Sequence, residues 1–135
     1  MTSLKIAVAT ATLACGSLVA AAPAHAATVP ECTSYVKITQ PNSTFYAYKP
    51  AHQGSTTCWL NRGSQGAGVW ALQRNLKYCY GQSIATDGSF GPATEQALKN
   101  AQARHGLVPD GEYGPLTRAN LILFYTIPSG RAGGC

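Results

Sequence analysis

The stretch Asp87-Gly88-Ser89-Phe90-Gly91-Pro92-Ala93-Thr94 recurs 23 residues later as Asp110-Gly111-Glu112-Tyr113-Gly114-Pro115-Leu116-Thr117. Five identities and a Phe/Tyr exchange in eight positions mark an internal repeat. Each copy has an Asp-Gly turn, one aromatic residue and then Gly-Pro, where proline's fixed φ and missing N–H suit the first position of a helix. Each copy is therefore expected to launch a helix.

Working outward, the helix after the first copy is expected over about Pro92 to His105, with Gly106 as its stop and Thr94, Ala97, Leu98, Ala101 and His105 on one face. The helix after the second copy is expected over about Pro115 to Tyr125. Its run Leu121-Ile122-Leu123-Phe124-Tyr125 is apolar nearly all round and requires a cover. Upstream, Gly68 to Tyr80 places Val69, Leu72, Leu76, Cys79 and Tyr80 on one face before Gly81. The fold class expected is thus all-α: a small three-helix bundle, of a size that is marginal without covalent staples.

Residues 27–58 differ in being rich in Thr, Ser and Pro. Tyr35 to Thr39 and Thr44 to Tyr48 alternate around Gln40-Pro41-Asn42-Ser43, the pattern of a hairpin or an extended arm. A lone hairpin is barely stable, so this arm is expected to lie on the apolar third helix. The plan is a leader over 1–26, the arm over 27–58, the bundle over 59–127, and a Gly-rich tail over 128–135 ending in Cys135.

The leader reads as a secretory signal: Lys5 is its sole charge, an apolar stretch runs from Ile6 to Ala22, and Ala24-His25-Ala26 supplies a cleavage site. The apolar stretch is short, contains Gly16 and precedes Pro23, so no stable membrane anchor is expected. Without the leader the chain keeps a net charge of +4 and four cysteines, Cys32, Cys58, Cys79 and Cys135. An even number in a small exported chain predicts disulfides. Three pairings are possible; the favoured one joins Cys32 to Cys58, closing the arm on itself, and Cys79 to Cys135, pinning the tail to a helix end. The expected location is extracellular or at the cell wall.

Leu60-Asn61-Arg62-Gly63-Ser64-Gln65-Gly66, followed by Val69, Leu72-Gln73 and Leu76, resembles the opening of the peptidoglycan-binding domain carried by many bacterial cell-wall hydrolases. The two Asp-Gly-x-aromatic-Gly-Pro-x-Thr copies resemble that family's turns and helix starts, and Thr94 to Leu98 and Thr117 to Leu121 match its threonine-to-aliphatic spacing. One departure is Ala101-Gln102, where a bulky aromatic commonly precedes the glutamine. The missing volume is expected to come from the arm or from Tyr78-Cys79-Tyr80. The resemblance implies a secreted, non-catalytic module that holds peptidoglycan or muropeptides, here with no hydrolase domain attached. A minimal murein hydrolase or amidase is the enzymatic alternative. A third reading is an interaction protein or inhibitor that guides a separate cell-wall hydrolase.

The chemistry-bearing residues favour the non-catalytic reading. No HxxxH spacing exists for zinc, so no metal or other cofactor is expected, and Asp87 and Asp110 occupy turns where a carboxylate most simply accepts backbone N–H bonds. Basic residues are spread out, so nucleic acid is not expected as a partner, and the chain is expected to be a monomer. The repeat is most informative where its copies differ. Glu95 after Thr94 suits the positive end of a helix, whereas Arg118 after Thr117 does not, and it sets a guanidinium beside free N–H groups that can receive a carboxylate. Tyr113 adds to Phe90 a hydroxyl that could reach the rim. Tyr113 and Arg118 are thus the leading ligand-binding candidates, with Gln102 and Arg74 behind them. Trp70, Arg74 and Lys77 also form a stripe on the first helix, explained either by packing under the arm or by a sugar-stacking platform.

Overall fold

In the segment Ser34 to Ala51, β-branched and aromatic residues alternate with polar ones across a turn in which Asn42 adopts φ 58°, a left-handed geometry that asparagine tolerates. The result is a hairpin of β1 (Ser34–Thr39) and β2 (Tyr46–Ala51). A computed structural model describes residues 29–130 and 132–135. The expected leader and its cleavage site lie outside the described residues. After the hairpin come α1 (Ala67–Cys79), α2 (Pro92–Arg104), α3 (Pro115–Asn120), β3 (Tyr125–Thr126) and β4 (Ala132–Gly134).

The all-α bundle expected from the sequence is therefore corrected to three short helices with a four-stranded antiparallel sheet in the order β1-β2-β3-β4. The hairpin escapes its own marginal stability by acquiring β3 and β4 and by packing on α1, not on the third helix as expected. Buried Asn75 of α1 fastens this union, its Nδ2 donating to the Tyr48 carbonyl at 3.3 Å. Among the described residues no helix is long and apolar enough to cross a membrane.

The third helix is also shorter than expected: it ends at Asn120 instead of Tyr125, and Leu121 turns to an extended conformation (φ −67°, ψ 128°). An apolar run has no need to stay helical if its N–H groups find other acceptors. Here the Tyr80 hydroxyl accepts from Ile122 N–H at 2.7 Å and Asn75 Oδ1 accepts from Phe124 N–H at 2.8 Å. The run is thereby drawn out along α1. Leu121 and Phe124 become buried, and the chain arrives beside β2 as a strand. Leu116, in the first turn of α3, is 71% exposed.

The core gathers Leu60, Val69, Leu72, Leu76, Tyr80, Phe90, Leu98, Tyr113 and Leu121 around the Cys32–Cys58 disulfide. Tyr80 shares this cluster with Ala101 and with the rings of Phe90 and Tyr113. Gly68 permits α1 to rest directly on the Cys32 carbonyl, where any side-chain carbon would collide with backbone. Cys79 pairs with Cys135 across 56 residues and ties the tail to the end of α1. Both disulfides follow the favoured pairing.

Candidate functional site

The repeat builds two matching corners around two buried glutamines. In the first, Gln73 Nε2 donates to Asp87 Oδ1, the Ser89 carbonyl and Thr94 Oγ1, each at 3.0 Å, while its Oε1 accepts from Gly88 N–H at 2.9 Å. In the second, Gln102 Nε2 donates to Asp110 Oδ1 (2.7 Å), the Glu112 carbonyl and Thr117 Oγ1 (both 2.9 Å), while its Oε1 accepts from Gly111 N–H at 2.9 Å. Both turn glycines sit at φ 75°, which other residues adopt only with strain. The aspartates also accept N–H bonds from Ser89 and Glu112 at 2.9 Å, the structural role expected of them. Hydrogen bonds from Ser89 N–H and then Gln73 hold the Asp87 carboxyl below its usual range. The turns dock on one shared segment: Leu60 and Tyr113 exchange backbone hydrogen bonds, and Phe90 accepts from Gly63 and donates to Ser64.

These corners bury two of the sequence's binding candidates. Gln102 is 2% exposed, with its amide committed to the turn. Tyr113 is 1% exposed and fills the core as Phe90 does, so its hydroxyl does not reach the rim; burial drives the phenol pKa far up, with Arg118 pulling weakly the other way. In this structure both side chains lie within the scaffold. Arg118 remains partly exposed, its Nη1 donating to the Cys58 carbonyl at 3.3 Å. Burial, and then the neighbouring Arg118, lowers the Lys49 ammonium. Glu95, the counterpart of Arg118, is held by Lys99 (2.9 Å) and Arg62 (2.7 Å), which lower its carboxyl.

The stripe on α1 finds company that the sequence did not announce. In the hairpin register Lys37 faces Tyr48, Tyr35 faces Pro50 and Thr39 faces Tyr46, so Tyr35, Lys37, Tyr46 and Tyr48 share one side of the sheet. The Trp70 ring lies 5.5 Å from Tyr35 and 5.1 Å from Tyr48, measured between centroids. Lys37 Nζ stands 4.6 Å from the centre of Tyr46, and Lys77, at the far end of the stripe, 5.8 Å from that of Tyr78. The Arg74 guanidinium carbon lies 5.0 Å from Trp70 and 5.5 Å from each of Tyr48 and Phe124. Burial, then the Tyr46 and Tyr35 phenols, raises the Tyr48 pKa, against a lowering pull from Arg74.

The result is a half-exposed surface of stacked rings crossed by cations, the kind that receives the flat faces of sugars and the carboxylates beside them. In the sequence Trp70, Arg74 and Lys77 stand out as a stripe; Tyr35, Lys37, Tyr46, Tyr48 and Tyr78 join them only in the structure. The signal was present as the alternation Tyr35-x-Lys37 and Tyr46-x-Tyr48, but the apolar run from Leu121 drew the expected hairpin to the third helix instead of α1. Because neighbours on β2 point to opposite sides, Lys49 stands on the other side of the sheet from Tyr48. The surface near Arg118 and the aromatic face are thus separate.

Residues 65–121 match the family described as "Putative peptidoglycan binding domain". The zinc D-Ala-D-Ala carboxypeptidase of Streptomyces albus G is 45% identical over 60 residues, covering 43% of this chain and 24% of that protein. The crystal structure of the SleB N-terminal domain is 40% identical, with 47% of this chain matched to 86% of that one and a TM-score of 0.45. The chain belongs to the peptidoglycan-binding domain family. A peptidoglycan-binding protein from Clostridioides difficile, solved with glutamine hydroxamate, is 29% identical and matches 64% of this chain and 56% of its own, with a TM-score of 0.50. The chain spans about a quarter of the length of the curated relatives it matches. Both glutamine corners fall inside the family segment. The hairpin and the tail, which complete the aromatic face, fall outside it.

Proposed function

We propose that the protein is a secreted, non-catalytic module that holds peptidoglycan, and that the face of Tyr35, Tyr48, Trp70 and Arg74 is its ligand surface. The single observation carrying this reading is the position of that face: the first helix of a peptidoglycan-binding domain presents a ring and a cation directly against the rings of the hairpin. Glycan rings stack there, and the carboxylates of muropeptides meet Arg74 and Lys37. Several of the groups an enzyme would need are committed to structure. Asp87 and Asp110 close turns, Glu95 lies between Arg62 and Lys99, and the His105 ring lies 2.7 Å from the Tyr80 hydroxyl. The two disulfides suit an exported protein.

Purified sacculi should pellet the protein without losing turbidity. Tyr35→Ala, at a site 39% exposed, should weaken pelleting by about three- to tenfold, the scale of one lost ring contact, with little change in Tm. Arg118→Ala is the matched control on the other surface, and a larger loss there would move the site to Arg118. Clearing of sacculi by a lysin-free preparation would refute the non-catalytic reading.

A further inference from the structure

Arg74 has more donors than its surroundings use. A guanidinium carries five N–H donors in one plane, yet its one hydrogen bond among the described residues runs from Nη2 to Thr126 Oγ1 at 3.3 Å, and it forms no ion pair there. Rings of Trp70, Tyr48, Phe124 and Tyr78 stand 5.0 to 5.6 Å from its central carbon and hold the side chain in place. Beside it opens a cavity of about 150 Å³ lined by Arg74, Tyr78, Phe124, Thr126 and Gly130, between α1 and the C-terminal segment. That is about five times the share of one water in the liquid, room for a carboxylate and a small substituent. Thr126 and Gly130 lie beyond the family segment, so the cavity is a property of this chain's own tail.

We propose that this cavity is a carboxylate-binding site, in which Arg74 receives the free C-terminal carboxylate of a short peptide whose last side chain is small. The planar fork of one guanidinium matches the two oxygens and single charge of a carboxylate, whereas a doubly charged phosphate would call for more donors than this wall offers. The Tyr78 and Phe124 rings, 4.6 Å apart, supply an apolar wall for a methyl-sized side chain. The proposal rests on the peptidoglycan reading for the origin of such a peptide, and on the geometry alone for the chemistry of the site.

The test uses the full disulfide-bonded protein, with N-acetyl-alanyl-alanine as probe and its C-terminal amide as the neutral match. The acid should shift the Arg74 Nε–H and Trp70 indole signals in NMR titration saturably, and the amide should bind at least tenfold more weakly. Arg74→Lys should cost at least tenfold in affinity for the acid. Equal binding of acid and amide, absence of acid binding, or an unchanged affinity in Arg74→Lys would overturn the site. The acid-against-amide comparison on the parent protein needs no variant and stands even if Arg74→Lys folds poorly. Sacculus pelleting run in parallel separates the two proposals. Pelleting without acid binding overturns the carboxylate site alone, whereas acid binding without pelleting supports the site and counts against the peptidoglycan reading.

Discussion

The two corners of the repeat close the same way and then diverge. Gln73 and Gln102 each bind an aspartate, a carbonyl, a threonine and a glycine N–H, and each corner buries one aromatic ring, Phe90 or Tyr113. The first corner launches a helix of 13 residues, the second a helix of 6. The turn and the proline start a helix in either place, but its length is set by what waits at the far end. Ala97, Leu98 and Ala101 of α2 meet the core, so helix pays there. Beyond Asn120 the acceptors of Tyr80 and Asn75, and the open edge of β2, draw the chain out as strand. The difference between the repeat copies is thus first a difference in what each helix meets at its end.

The hardest blow to this equivalence is to remove the clamps. Gln73→Leu leaves the half-buried Gly88 N–H and the Thr94 hydroxyl without their glutamine partner, Gln102→Leu leaves the buried Gly111 N–H without its own, and each should lower the unfolding free energy by about 2 to 4 kcal/mol in urea titrations. Similar losses are expected from the two variants. A loss in one and not the other would show that only one corner supports the fold.

Acid probes the same clamp more gently. The Asp87 carboxyl is held below its usual range by the Ser89 N–H and by Gln73, so its contribution is fully present above the ordinary carboxylate pKa. It is lost as pH falls through that range to the lowered folded value. Stability measured from pH 6 down to pH 2 should therefore fall less steeply in Asp87→Asn than in the parent. Identical slopes would remove Asp87 from the acid response.

The smallest effect is expected where the sequence placed its leading candidate. Tyr113→Phe makes the second corner resemble the first, and because the ring is core and the hydroxyl is away from solvent, sacculus pelleting should not change. Stability should shift by about 1 kcal/mol or less. A clear loss of pelleting with an unchanged Tm would restore Tyr113 to the ligand surface.

Much of the scaffold was legible because its causes are local. The Asp-Gly and Gly-Pro pairs, the starts of α2 and α3, the structural part of the two aspartates and the alternation of the hairpin all follow from backbone preferences within a few residues. The binding candidates were less legible because they were judged by difference between copies. Whether Tyr113 shows its hydroxyl, or Gln102 its amide, depends on the burial of the whole corner. Trp70, Arg74 and Lys77 were visible as a helical stripe, but the Tyr35 and Tyr48 rings beside Trp70 come from strands more than 20 residues upstream.

By itself, then, the sequence determined the repeat, its two helix starts, the hairpin pattern and the family, since each is written in short-range chemistry. The tertiary structure decided where the third helix stops, that the hairpin becomes part of a four-stranded sheet lying on α1, and which polar residues are spent on the scaffold. The physical reason is competition for backbone partners. In the run from Leu121 to Phe124 the N–H groups of Leu121, Ile122 and Phe124 find acceptors in Thr117, Tyr80 and Asn75, and only the extended form also delivers Tyr125 and Thr126 to the edge of β2.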